Sequence, residues 1–104
     1  MFIKDMLKEE LENSIQIRKD YERALKDLPK GALVRKKIGR NEYYYLAVRN
    51  ADKVQFHYMG KLDKAEIAKH EEAKVYRARY RKKLSEIDQQ IRFIRKVLRG
   101  QGPI

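Results

Sequence analysis

Few residues in this sequence of 104 residues could support catalysis. The two histidines, His57 and His70, lie apart, and neither has a carboxylate cluster beside it at metal-ligand spacing. His70 precedes Glu71 and Glu72 but lacks the second histidine of a His-Glu-x-x-His zinc site. The chain contains no cysteine, no glycine-rich phosphate loop and no nucleophile elbow. We therefore expect a non-enzymatic protein without a metal, a cofactor or a small-molecule substrate.

A second group of residues, in the central third of the chain, has the chemistry of a binding surface. It combines cations, aromatic rings and hydrogen-bonding side chains: Arg35, Lys37, Tyr43, Tyr45, Arg49, Lys53, Gln55 and His57. Cations can bind phosphates, while aromatic and amide groups can touch bases. We expect all eight to share one exposed face of a β-sheet, which could enter the major groove of a duplex. The alternative is an ordinary solvated face, because Lys and Arg are common on strand exteriors and edges.

The other face of the same strands is predicted to be apolar. Alternation along each strand assigns eight residues to it: Val34, Ile38, Tyr44, Leu46, Val48, Val54, Phe56 and Tyr58. We expect the start of the second helix to cover this face.

Three short segments carry these residues and are predicted to be strands. They span residues 32–38, 43–49 and 53–59 and are rich in β-branched and aromatic residues. The segments between them, Gly39-Arg40-Asn41 and Asn50-Ala51-Asp52, contain residues typical of tight turns. We therefore expect a three-stranded antiparallel meander over residues 32–59.

Two long helices, over residues 2–28 and 63–99, are predicted to flank the meander. Pro29 ends the first, and Asp63 with Glu66 forms a capping box at the start of the second. Each helix has a seam of residues at steps of four and three. The seam residues are Leu7, Leu11, Ser14, Arg18, Tyr21, Leu25 and Leu28 in the first helix, and Tyr80, Leu84, Ile87, Ile91, Ile94 and Leu98 in the second.

The fold class predicted from these elements is α+β. The two helices should pair as an antiparallel coiled-coil hairpin with the meander inserted between them, and residues 100–104 should form a tail. The length predicts a single domain over residues 1–104. Apolar residues partly outside the seams favour a homodimer. They are Phe2, Ile3, Ile15, Ile17, Ile67 and Phe93.

The net charge of +11 is unevenly distributed. Residues 1–30 are neutral, with seven basic and seven acidic groups, while residues 31–61 carry +5 and residues 62–104 carry +6. Within the last segment, Lys74 to Lys83 contains six cations and no acid. Such charge favours a polyanionic partner, although solubility alone could explain it. The 74–83 run could track phosphates, or it could be a solvated helix surface.

Localisation and membrane contact are also indicated by composition. The absence of cysteine fits a reducing compartment, so we expect a cytoplasmic protein. No stretch approaches the roughly 20 apolar residues needed to cross a bilayer. The cationic helix also lacks the tryptophan and bulky apolar face of an interfacial helix, so no membrane partner is expected.

The middle of the chain resembles a known pattern. It reads Leu28-Pro29-Lys30-Gly31-Ala32-Leu33, Tyr43-Tyr44-Tyr45-Leu46, Lys53-Val54 and Tyr58-Met59-Gly60-Lys61. This resembles a family of short, uncharacterised prokaryotic proteins with Leu-Pro-Lys-Gly-Ser-Leu, Tyr-Tyr-Tyr-Leu, Gly-Gly-Lys-Val and Tyr-Ile-Gly-Lys, and it implies no function. The pattern is also similar to the small N-terminal β-module of certain transposases, which implies a DNA-handling module without the catalytic domain. The sequence departs at the second turn, where Asn50-Ala51-Asp52 replaces Gly-Gly.

Two functional hypotheses follow. The first is a non-catalytic basic module that binds double-stranded nucleic acid through the exposed face of the meander. The alternative is a structural or protein-interaction protein that acts through its coiled coil.

Overall fold

The computed structural model describes residues 2–100 and contains five elements. Helix α1 is Phe2–Asp27, and helix α2 is Lys64–Leu98. Between them in the chain lie the strands β1 (Ala32–Ile38), β2 (Asn41–Asn50) and β3 (Lys53–Gly60). This confirms the α+β class, with two helices flanking an antiparallel three-stranded sheet in sequence order. Helix α1 begins at the predicted residue and ends one residue early, and α2 is one residue shorter than predicted at each end. The predicted tail lies outside the described residues except for Gly100.

The chain divides into two compact units. The helical unit contains α1 and the part of α2 from Ala78 onward, and the sheet unit runs from Leu28 to Arg77. Helix α2 thus contributes residues to both units. That residues 1–104 form a single domain stays a prediction.

Residues of both predicted seams take part in the packing of the helical unit. Its buried residues are Ser14 from α1 and Ile91, Ile94 and Val97 from α2. The rings of Tyr21 and Tyr80 lie 5.7 Å apart between centroids, and further along α1 the Ser14 hydroxyl accepts a hydrogen bond of 2.8 Å from Gln90.

From Tyr21 to Ser14 the residue number in α1 falls, while that of the contacting residue in α2 rises from Tyr80 to Gln90. The paired segments are therefore antiparallel. An ion pair of 3.3 Å between Arg18 and Asp88 lies between the two contacts and follows the same order. The supercoil of a coiled coil stays a prediction. Val97, which the heptad seam leaves out, is also buried.

Both ends of α2 are capped, and the cap at its start is provided by Asp63, as the sequence predicts. The backbone N–H of Glu66 donates to a carboxylate oxygen of Asp63 at 2.8 Å, and that of Ile67 donates to the Asp63 carbonyl at 3.1 Å. At the other end, the Gly100 N–H donates to the Val97 carbonyl at 2.9 Å. A carboxylate at the first turn and a glycine after the last are typical helix ends, because they satisfy backbone groups that lack partners in the helix.

The sheet has the order β1-β2-β3, so β2 is the central strand. Two turns of two residues each join the strands, because Ile38 pairs with Asn41 and Asn50 pairs with Lys53. The first residue of each turn, Gly39 or Ala51, has a positive φ, of 63° and 57° respectively. The second residue of each turn, Arg40 or Asp52, does not have a positive φ, which excludes type I′ and fits a type II′ turn, a geometry that suits the twist of a hairpin.

Immediately before β1, the backbone at Gly31 lies close to Leu46 and Ala47 of β2. Gly31 has a φ of 94°, and a Cβ there would lie 2.9 Å from Cγ of Leu46 and 3.0 Å from the carbonyl oxygen of Ala47. The carbonyl of Pro29, two residues earlier, accepts a hydrogen bond from the Arg77 guanidinium. The Pro-Lys-Gly segment therefore requires glycine at its third position, both for backbone conformation and for space.

Candidate nucleic-acid interface

The strand register assigns every side chain of the sheet to one of two faces. Residues directly opposite each other in an antiparallel pair lie on the same face. Tyr45 pairs with Val34 on one side and with Tyr58 on the other, which groups these three residues. We call their side the aromatic face. It comprises Ala32, Val34, Lys36, Ile38, Asn41, Tyr43, Tyr45, Ala47, Arg49, Val54, Phe56 and Tyr58.

The opposite face is built around Tyr44, which is the one buried residue of the three strands at 7% exposure. Leu33 and Leu46 pair beside it and are half-buried. The residues of this face with side chains are Leu33, Arg35, Lys37, Glu42, Tyr44, Leu46, Val48, Asn50, Lys53, Gln55 and His57.

The prediction that eight binding residues share one face is therefore wrong. Five of them lie together on the opposite face: Arg35, Lys37, Lys53, Gln55 and His57. The other three, Tyr43, Tyr45 and Arg49, belong to β2 and lie on the aromatic face. The predicted apolar face is divided in the same way. Val34, Ile38, Val54, Phe56 and Tyr58 lie on the aromatic face, while Tyr44, Leu46 and Val48 lie on the opposite one.

The reason is the length of the two turns. A three-residue turn at 39–41 would pair Ile38 with Glu42 and so place Lys37 opposite Tyr43, as predicted. The turn has two residues, so Lys36 pairs with Tyr43 instead. The second turn is also one residue shorter than predicted, which shifts β3 against β2 in the same sense. A shift of one residue moves a strand's side chains to the other face. The prediction of which β1 and β3 side chains share a face is thus correct, and only the two faces of β2 are exchanged.

The aromatic face carries four aromatic rings, three of which lie close together. The ring centroid of Tyr58 lies 5.3 Å from that of Tyr45 and 6.3 Å from that of Tyr43. Phe56 follows on the same strand, opposite Ala47. Phe56 is 61% exposed and Tyr58 is 62% exposed. Their exposure leaves an apolar surface open to a ligand, of the kind that marks an interaction site.

Three cations accompany these rings. Lys36 pairs with Tyr43, and Arg49 pairs with Val54. Lys61 places its ammonium 6.0 Å from the centre of the Tyr43 ring, at the outer limit of a cation–π contact. All three are exposed, and none takes part in the ion pairs formed within residues 2–100. They are therefore available to an anionic ligand.

Carboxylates are absent from the aromatic face. Residues 32–60 contain two acids, Glu42 and Asp52. Glu42 lies on the opposite face, and Asp52 lies in the turn after β2. The aromatic face is consequently apolar and cationic without compensating negative charge.

The opposite face differs in its electrostatics because Glu42 neutralises part of its charge. An oxygen of Glu42 lies 3.7 Å from the Arg35 guanidinium, and its other oxygen accepts a hydrogen bond of 3.4 Å from the Tyr44 hydroxyl. Lys37 pairs directly with Glu42 in the register. Two of the predicted phosphate contacts, Arg35 and Lys37, are therefore next to a carboxylate.

Sequence reasoning missed Lys36 and Lys61 as members of the site, and it placed Phe56 and Tyr58 on a covered face. A signal for Lys36 was present in the Gly39-Arg40 pair, because glycine at the first position of a two-residue turn is typical of type II′ hairpins. Taking that turn length would have placed Lys36 opposite Tyr43.

Other chemistry is sparse in the described chain. Within residues 2–100, no group of three or more His, Cys, Asp or Glu side chains could hold a metal ion. Neither α1 nor α2, as described, has a segment with the length and hydropathy required to span a bilayer. In the cationic run of α2, Arg77 bonds to a backbone carbonyl and Lys83 lies 3.5 Å from Glu86.

No family model, no functionally curated protein and no solved structure matches this chain.

Proposed function

We propose that the protein is a non-catalytic nucleic-acid-binding module and that the aromatic face is its binding surface. One observation carries the proposal: the exposed rings of Phe56 and Tyr58 share a sheet face without carboxylates with two cations, Lys36 and Arg49. A third cation, Lys61, follows β3 and lies over the Tyr43 ring of that face. Cations provide the phosphate contacts from which most of the affinity for nucleic acid comes. Aromatic rings provide apolar contacts to the bases.

The charge of the sheet unit supports an anionic partner. Residues 28–77 contain twelve basic and six acidic groups, so their net charge is +6. A cationic domain attracts polyanions over distances of about a Debye length and raises their rate of association. A neutral apolar partner would have no electrostatic attraction to Lys36, Arg49 and Lys61.

The test compares two double variants that remove equal charge from the two faces. Lys36→Ala with Arg49→Ala removes two cations from the aromatic face, and Lys37→Ala with Lys53→Ala removes two from the opposite face. Binding to a labelled oligonucleotide is measured by fluorescence anisotropy over a range of salt concentrations. We expect the first variant to reduce the slope of log affinity against log salt by about 1.4 to 1.8, because each neutralised phosphate contributes about 0.7 to 0.9 to that slope. The second variant should leave the slope nearly unchanged.

Two outcomes would contradict this assignment. A larger loss of affinity in the variant at Lys37 and Lys53 would make the opposite face the binding surface, and absence of binding by the unmodified protein at low salt would exclude the function. Circular dichroism is the folding control. Both variants should keep the spectrum of the unmodified protein, because all four side chains are exposed.

A second candidate function is protein interaction through the helical unit. Three apolar residues at the start of α1, Phe2, Ile3 and Met6, are each more than half exposed. Ile3 also lines an open cavity of about 340 Å³, together with Leu7, Val97 and Leu98. An exposed apolar surface of this kind favours association with another helix.

A further inference from the structure

We propose that the aromatic face selects single-stranded nucleic acid and binds it by stacking unpaired bases on its rings. This inference rests on the proposed function and specifies its ligand class. It differs from the duplex binding expected from the sequence, because it depends on rings that the register places together. The juxtaposition that carries it is the ring group of Tyr43, Tyr45, Phe56 and Tyr58 on one face.

Stacking requires that the face of a base be free. In a duplex each base is covered above and below by its neighbours, so a protein reaches only base edges through the grooves. In a single strand the bases can be splayed out and can lie against aromatic side chains. Phe56 and Tyr58 are more than half exposed and offer this surface. Tyr43 and Tyr45 are half-buried beside them.

The cations lie at both ends of the ring group. Lys36 and Lys61 are next to Tyr43, while Arg49 lies six residues further along β2. At about 3.3 Å per residue, the distance from Tyr43 to Arg49 along the strand is about 20 Å. A strand lying along β2 would therefore meet a phosphate partner at each end, with roughly two or three bases stacked between, as on other sheet surfaces that bind single strands.

A second copy of this chain is a poor occupant of the same face. Two aromatic faces brought together would place Lys36, Arg49 and Lys61 of one copy against the same cations of the other. No carboxylate on the face could compensate, and like charges across an interface are unfavourable. The charge of the face thus favours a polyanion over self-association.

The experiment compares a fluorescein-labelled, mixed-sequence DNA oligonucleotide with the duplex formed from it and its complement. Anisotropy titrations of the full chain at low salt should give an affinity at least about tenfold higher for the single strand. The ring variant is Phe56→Leu, which keeps an apolar side chain and removes the ring. We expect it to lower single-strand affinity about tenfold without changing the salt slope, because stacking neutralises no phosphate.

The matched control is Phe93→Leu, the same substitution on the helical unit at a similar exposure of 54%. It should leave single-strand affinity unchanged. Tyr58→Phe keeps the ring and should also bind as the unmodified protein does. Equal affinity for single strand and duplex, or equal effects of Phe56→Leu and Phe93→Leu, would overturn the stacking inference and leave nucleic-acid binding standing. Failure to bind either ligand at low salt would overturn both.

Discussion

Backbone strain at single residues is concentrated in the second turn of the sheet. Ala51 is the one non-glycine residue with a positive φ within residues 2–100. An alanine in this conformation costs roughly 1–2 kcal/mol, because its Cβ crowds the following carbonyl. The first turn has Gly39 at the equivalent position, with nothing within 4 Å of where a Cβ would lie. The two turns therefore differ in strain while sharing a geometry.

Reciprocal substitutions at these positions should shift stability in opposite directions. Ala51→Gly relieves the strain and should raise the free energy of unfolding by about 0.5–1 kcal/mol, after allowance for the greater chain entropy of glycine. Gly39→Ala should lower it by a similar amount. Urea denaturation followed by circular dichroism measures both changes. Destabilisation by Ala51→Gly would show that φ at Ala51 is not the source of strain.

At the scale of the element, the packing of the helical unit depends on the middle of the α2 seam. Ile91 is 1% exposed and immediately follows Gln90 in α2. The side-chain amide of Gln90 donates a hydrogen bond to the Ser14 hydroxyl. We expect Ile91→Ala to lower the free energy of unfolding by about 2–5 kcal/mol, because it removes buried methylene groups and leaves a cavity. Phe93→Ala, two residues further on, removes a larger but mostly exposed side chain and should cost much less. Equal decreases in urea titrations of the two variants would contradict the assignment of Ile91 to the core.

The elements differ in how far local sequence determines them. The helices, their caps and the positions of the strands follow from periodicity, Pro29, Asp63 and the turn residues, and the structure confirms them. The face of β2 could not be obtained that way, because both of its rows of side chains are apolar. Tyr43 and Tyr45 alternate with Tyr44 and Leu46, so hydrophobic alternation cannot distinguish the two sides. The register decides between them, and its one signal in the sequence is the Gly39-Arg40 pair of the first turn.

A bulge adds to this difficulty. Tyr45 pairs with Tyr58 while Tyr44 pairs with Gly60, so Met59 is an extra residue in β3. A bulge interrupts the alternation of side chains at the point where it occurs. The one residue that marks the position of the bulge is Gly60, whose φ is 74°.

At the scale of the whole molecule, the prediction of a homodimer remains to be tested. Its basis in the structure is the apolar surface of Phe2, Ile3 and Met6 on α1, which association with a second copy would bury. We expect sedimentation equilibrium to give a dimer mass at high micromolar concentration. Ile3→Ser combined with Met6→Ser should shift the protein to monomer without loss of helicity. A monomer mass for the unmodified chain would contradict the prediction.

The length of the turns decides which side chains lie on the aromatic face, and this would matter in any comparison with homologous sequences. Gaining or losing one residue between Asn50 and Lys53 would present the other row of β3 side chains on the aromatic face, so that Gln55 and His57 would replace Phe56 and Tyr58 there. Two homologous proteins could then have nearly identical residues in all three strands and bind different ligands. Gap placement at the turns, rather than percentage identity, is the character that would identify a relative with the same activity.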